Sequence, residues 1–174
     1  MARPISISTR KASDTAVKTR TVAVSLLAAA IITFLKLWAG LVSGSIGMLS
    51  EAAHSGLDLV ASFIILASVT VADRPADEAH TYGHGKMENL AAFTETLLMV
   101  ASVLWIVAEA IERIAGHAAP LRLSIWPFAV LLLSMIVDFL RSRALGRVAR
   151  QTHSQALEAD ALHFSMDIWS SLAV

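Results

Sequence analysis

The stretch IGMLSEAAHSGLDLVASFIILASVTV, residues 46–71, decides the fold of this chain of 174 residues. It is apolar along most of its length, but its first half carries the polar side chains of Glu51, His54 and Asp58. A helix rises about 1.5 Å per residue, so a stretch of this length can cross the hydrocarbon layer of a bilayer, which is about 30 Å thick. The pattern predicts a membrane-spanning helix whose polar side chains face other helices.

Four more apolar segments surround this one, and a polar loop containing Pro75, Gly83 and Gly85 separates the second segment from the third. We predict an all-α fold, a polytopic membrane helix bundle whose transmembrane domain covers residues 21–174. Its five predicted helices span about residues 21–42, 46–71, 88–115, 125–148 and 155–174.

The composition supports a membrane protein. Hydrophobic residues make up 56% of the chain and charged residues 16%, whereas soluble domains have about 25% charged residues. Fourteen basic and fourteen acidic side chains cancel, so no overall field attracts nucleic acid. The chain has no cysteine, which excludes disulfides and thiolate metal sites. Any metal would therefore be held by nitrogen and oxygen ligands.

The first 20 residues are basic and lack apolar periodicity, which predicts a solvated cytoplasmic tail. The apolar run that follows is too long for a secretory signal. Eleven Lys and Arg residues flank the predicted spans on the side of the amino terminus, and two flank them on the other side. The positive-inside rule then predicts a multi-pass protein of the cell membrane with a cytoplasmic amino terminus.

The spacing His-x-x-x-Asp occurs in two separate apolar segments, as His54 with Asp58 and as His163 with Asp167. Residues i and i+4 share a helix face, so each helix can direct an imidazole nitrogen and a carboxylate oxygen at one point. Two such helices packed together would supply four ligands, which suits tetrahedral Zn(II). These four residues are predicted to form a metal site inside the bilayer.

A structural role is the alternative for these pairs, with each Asp bonding its own His inside the bundle. An Asp at the centre of a membrane helix costs about 2.5 to 3.5 kcal/mol on insertion scales, so two of them require a reason. Duplication of the pair favours the metal site. A membrane scaffold, the competing hypothesis, predicts no metal-dependent change in stability.

The loop between the second and third segments carries three metal-competent side chains close together, Asp77, His80 and His84. Three ligands at this spacing could hold a second cation, with a fourth position left for water. The alternative is an ordinary solvated polar loop.

Other embedded charges favour structural roles. Lys36 is predicted to snorkel or to pair with a carboxylate such as Glu51, and Asp138 to face Arg141 or Arg143. His117 and His153 lie near loops without a partner at ligand spacing. The tryptophans are predicted to be interfacial or packing residues: Trp38, Trp105, Trp126 and Trp169.

Three blocks together resemble the cation diffusion facilitator family of divalent-metal transporters, and they occur in the family's order. They are SGSIGMLSEAAHSGLDL over residues 43–59, RPADEAHTYGHGKMENL over residues 74–90, and EADALHFSMDIWSS over residues 158–171.

The resemblance implies a membrane domain of six helices, usually in a homodimer with a cytosolic carboxy-terminal domain, that exports metal from the cytoplasm in exchange for protons. The sixth helix and that domain are not in this sequence, and we expect a truncation within or just after the fifth helix. The family's transport site matches His54, Asp58, His163 and Asp167. Its second site, in the loop, matches Asp77, His80 and His84.

Two His and two Asp at the transport site resemble the zinc exporters of the family, and imidazole ligands favour zinc independently. Zinc is therefore the predicted substrate, with Co²⁺, Cd²⁺, Fe²⁺ and Mn²⁺ as alternatives. Loading requires neutral His and ionised Asp, so protons and metal compete for the site. The expected partners are divalent ions, protons, the lipid bilayer and a second copy of the full-length chain, with no nucleic acid.

Two hypotheses from other classes compete with transport. A membrane haem or electron-transfer protein would use His54 and His163 as axial ligands, but the Asp four residues after each His would then have no task. A membrane metallohydrolase needs an open zinc position, which four protein ligands would fill. We therefore predict that the protein is not an enzyme.

Overall fold

The computed structural model describes residues 7–112, 115 and 125–173. Within this part of the chain the regular structure is helical and contains no strand, which confirms the predicted all-α fold. The elements are α1 (Ile7–Ser43), α2 (Ile46–Ala72), α3 (Lys86–Glu112), α4 (Ile125–Thr152) and α5 (Gln155–Ala173).

Four of these helices, α1 to α4, are long and apolar enough to cross a membrane. α5 is shorter, at 19 residues, and carries three acidic residues: Glu158, Asp160 and Asp167. Its place as a membrane span stays a prediction. Large apolar side chains on the outer faces are exposed, as for Phe34, Phe63 and Phe128, and a lipid environment accounts for them.

Part of the predicted solvated tail over residues 1–20 is helical, because α1 begins at Ile7 and runs for 37 residues. Lys18 and Val22 are buried in the bundle. No Gly or Pro interrupts residues 7–20, so a helix can form there. Its polar residues find partners on other helices, which local apolar periodicity does not reveal.

The turn between α1 and α2 brings the two helices close together. Gly44 takes a left-handed conformation with φ 64°, which glycine adopts without steric cost. Ser45 caps α2 by accepting a hydrogen bond from the Met48 N–H at 3.3 Å. Gly40 lies so near Leu49 that a Cβ would come within 2.8 Å of its side chain. A larger residue at position 40 would push the helices apart.

The bundle places α1 against α2 and α4, and α5 against α4 and α3, with a smaller contact between α2 and α5. The arginine-rich stretch over residues 141–150 belongs to α4, which continues to Thr152. The apolar core joins helices α1 to α5 and consists of Val22, Ile65, Val69, Ala91, Leu145, Val148, Ala149, Ala156, Leu157, Ala161 and Phe164.

A buried charged cluster ties the helices together at one end of the bundle. The Lys18 ammonium lies 2.8 Å from a carboxylate oxygen of Asp73 and 2.8 Å from one of Glu88. The Thr15 hydroxyl donates to Asp73, and the Ser154 hydroxyl donates to Glu88. We call these five residues the Lys18 cluster. It links α1, the end of α2, the start of α3 and the connection between α4 and α5.

Candidate functional site

α2 carries His54 and Asp58 one turn apart, on a helix whose buried positions recur every three or four residues, as at Ala52, Ser55 and Ser62. This spacing gives α2 one face directed into the bundle. The small residues on that face allow the backbones of neighbouring helices to come close.

The structure brings the two His-x-x-x-Asp pairs to one place. One ligand atom from each of His54, Asp58 and Asp167 lies within 4.8 Å of the other two. The His54 Nε2 atom is 3.9 Å from the nearer oxygen of Asp58 and 3.9 Å from that of Asp167. The side chains of α2 and α5 therefore converge, and metal binding by them stays a prediction.

His163 lies beside this group on α5. Its Nε2 atom lies 3.0 Å from Asp58 Oδ1 and 3.4 Å from Asp167 Oδ2. The side chain is only 2% exposed. His163 thus contacts both carboxylates, one from each helix. We call His54, Asp58, His163 and Asp167 the four-residue site.

A cavity of about 40 Å³ lies beside these residues, with room for a few water molecules. Besides His54, Asp58 and Asp167, it is lined by two ion pairs. Lys36 Nζ lies 3.0 Å from Glu51, and Arg141 lies 3.0 Å from Asp138. Both pairings were predicted from the sequence and are confirmed. The cavity is polar and charged, as a site for an ion requires.

Two buried acids near the four-residue site were missed from the sequence. Glu95 of α3 is 3% exposed, and its Oε1 atom lies 3.4 Å from His163 Nδ1. Asp160 of α5 is fully buried, and Ser62 donates to it at 3.5 Å. Asp160 stands three residues before His163 on the same helix face, a spacing that could have identified it. Glu95 offered a weaker signal, as an acid within an apolar segment.

Arg141 makes more contacts than the predicted pairing with Asp138. Its Nε donates to the Ser25 hydroxyl at 2.9 Å, and its guanidinium carbon lies 3.6 Å from the centroid of the Phe164 ring. It therefore joins α1, α4 and α5 beside the cavity, and its contact with Phe164 is a cation–π interaction.

The three loop residues also lie together. His80 Nδ1 is 3.2 Å and His84 Nε2 is 3.5 Å from Asp77, and the two imidazole rings are 4.4 Å apart. The backbone N–H of His80 donates to the Asp77 carboxylate at 2.7 Å. That bond, with help from the His80 side chain, lowers the pKa of Asp77. Asp77 is therefore anionic at neutral pH, although its turn geometry also suits an ordinary loop.

Comparison with known proteins connects this arrangement to a family. The sequence model of the cation efflux transmembrane domain matches residues 22–174. The cation-efflux pump FieF of Yersinia enterocolitica is 34% identical over 149 residues, covering 84% of this chain and 48% of that protein. FieF of Cronobacter sakazakii is 30% identical over 148 residues, covering 85% and 49%. The chain spans about half the length of these relatives.

Proposed function

The chain belongs to the cation efflux family, and from this premise we propose that its bundle carries a divalent metal ion, zinc first among them, out of the cytoplasm in exchange for protons. The observation that carries the proposal is the convergence of two His-x-x-x-Asp pairs from α2 and α5 beside one polar cavity. The name of the relatives, cation-efflux pump, supports the efflux of a cation.

Zinc is favoured by the chemistry of the four-residue site. Two imidazole nitrogens and two carboxylate oxygens suit tetrahedral Zn(II), and the carboxylates neutralise its charge. Ligand atoms of a tetrahedral zinc lie roughly 3.3 Å apart, given bonds of about 2.0 Å. His54 Nε2 lies 3.9 Å from both Asp58 and Asp167, so these contacts would shorten by about 0.6 Å around a zinc ion. Four protein ligands also leave no position for an activated water, which argues for a carrier and against an enzyme.

Exchange for protons is supported by one contact. His163 Nε2 lies 3.0 Å from Asp58 Oδ1, and two such atoms at this distance need a proton between them. A metal bound to Nε2 and to the carboxylate would displace that proton. Loading with metal would thus release protons, and protonation would release the metal.

Calorimetric titration of the detergent-solubilised chain with Zn²⁺, Co²⁺, Cd²⁺, Mn²⁺ and Fe²⁺ tests the proposal. We expect zinc to bind most tightly, and we expect His54→Ala to lose this binding because a tetrahedral ligand is removed. A titration curve for zinc that is the same in His54→Ala and in the wild type would contradict the site. A haem absorption band in the purified protein would favour the electron-transfer hypothesis instead.

We also propose that Asp77, His80 and His84 bind a second, weaker cation. Their shared geometry and the anionic Asp77 support this. The variant with His80→Ala and His84→Ala is expected to lose one binding event while zinc binding at the four-residue site is unchanged. The change Glu78→Ala, at an exposed residue of the same loop, is the control and should retain both events. Two binding events in the double variant would exclude the loop as a site.

A further inference from the structure

Glu95 is a buried acid to which the proposed transport mechanism gives no task. It lies on α3, which supplies none of the four proposed ligands. Its side chain is 3% exposed, and within the described residues neither of its carboxylate oxygens has a hydrogen-bond partner. A buried carboxylate without such a partner is costly, so its retention requires a reason.

A ring nitrogen close to Glu95 explains its position. Oε1 lies 3.4 Å from His163 Nδ1, and that nitrogen also lacks a hydrogen-bond partner within the described residues. The other nitrogen of the same ring, Nε2, lies 3.0 Å from Asp58. The imidazole therefore stands between a proposed ligand on one side and Glu95 on the other. A movement of a few tenths of an ångström would bring Nδ1 and Oε1 to hydrogen-bond distance.

We propose that Glu95 is a positioning residue that accepts the Nδ1–H of His163 and so keeps Nε2 directed at the metal. This inference rests on the proposed function of the four-residue site. Histidine ligands of metals commonly donate their second ring N–H to a carboxylate, which fixes both the tautomer and the ring orientation. Glu95 gives α3 this role at a site whose ligands come from α2 and α5.

Glu95 places a carboxylate oxygen 3.4 Å from His163 Nδ1. Asp160, another buried acid of the same region, accepts from Ser62 through Oδ1, and its Oδ2 has no hydrogen-bond partner within the described residues. Phe164 meets the His163 ring edge to face, with centroids 5.3 Å apart, and offers no acceptor to Nδ1. Without an acceptor at Nδ1, a neutral ring favours the tautomer with its proton on Nε2, and the metal then has to displace a more firmly held proton.

Zinc titration of two variants tests the inference. Glu95→Leu keeps a side chain of similar size without an acceptor, and we expect zinc affinity to fall roughly ten- to hundredfold. Glu95→Gln keeps an acceptor oxygen and should lose less than Glu95→Leu. Glu88→Gln makes the same chemical change on the same helix, within the Lys18 cluster, and should leave zinc affinity unchanged. Equal affinities in Glu95→Leu and the wild type would overturn the inference.

A second measurement separates this inference from the proposed function. Nitrogen-15 NMR of the histidine side chains in metal-free protein, with His163 assigned by its loss in His163→Gln, reports which ring nitrogen carries the proton. We expect a protonated Nδ1 in the wild type and its loss in Glu95→Leu. This outcome supports the positioning role even if zinc does not bind, in which case only the proposed function fails. A Nδ1 signal that is the same in both proteins would overturn the positioning role.

Discussion

Zinc affinity is expected to fall about a hundredfold or more when Asp58 is replaced by asparagine, a larger loss than the roughly ten- to hundredfold cost of removing a supporting residue. Asp58 is central to the four-residue site, because it contacts His163 at 3.0 Å and lies 3.9 Å from His54. Asparagine has the same size but no charge. Calorimetry in two buffers of different ionisation enthalpy measures both the affinity and the protons released per zinc, and both should decline.

Asp138→Asn is the matched control for this variant. Asp138 lines the same cavity but pairs with Arg141, and it is not a proposed ligand. The zinc affinity of Asp138→Asn should stay near that of the wild type. In proteoliposomes, Asp58→Asn should also abolish zinc-dependent proton movement. Undiminished binding and exchange in Asp58→Asn would remove this residue from the mechanism.

Replacing Lys18 with methionine is expected to lower the free energy of unfolding by about 3 to 5 kcal/mol, because it removes the ammonium that forms ion pairs with Asp73 and Glu88. Lys18 is 5% exposed, and the side chains of Asp73 and Glu88 are 20% and 11% exposed, so water compensates for only part of the loss. For a chain of this size the melting temperature should fall by roughly 6 to 20 °C. Thermal unfolding in detergent, followed by circular dichroism, measures this change.

A triple variant distinguishes the ion pairs from simple packing. Lys18→Met combined with Asp73→Asn and Glu88→Gln removes all three charges of these ion pairs, and part of the lost stability should return, because neither partner of Lys18 then carries a charge. Lys86→Met, at an exposed lysine where α3 begins, should change the melting temperature little. A triple variant as unstable as Lys18→Met would show that the charges are not the cause.

The features predicted well from the sequence are those that depend on the spacing of residues close together in the chain. Length and apolarity predicted the helices, and the His-x-x-x-Asp repeats predicted side chains that the structure does bring together, His54 and Asp58 with His163 and Asp167. Metal binding itself stays a prediction. Residues four positions apart lie on the same face of a helix, and this does not depend on the rest of the fold.

The features that were missed depend on partners far along the chain. The sequence near Lys18 has no apolar periodicity, and the burial of Lys18 goes with its contacts to Asp73 and Glu88, more than fifty positions away. Glu95 likewise has no local signal that links it to His163. Such roles become visible only when the packing of the helices is known.

The hydrogen bond between His163 and Asp58 has a consequence for the step in which the proposed carrier returns without metal. After releasing its metal ion, an alternating-access protein must return to its first conformation within the bilayer, where an unpaired charge is costly. Because imidazole and carboxylate are already joined at 3.0 Å, the unloaded bundle can reset with a shared proton in place of the ion. The same atoms would therefore hold the metal ion in the outward step and the proton in the return step. Binding of either one would require release of the other.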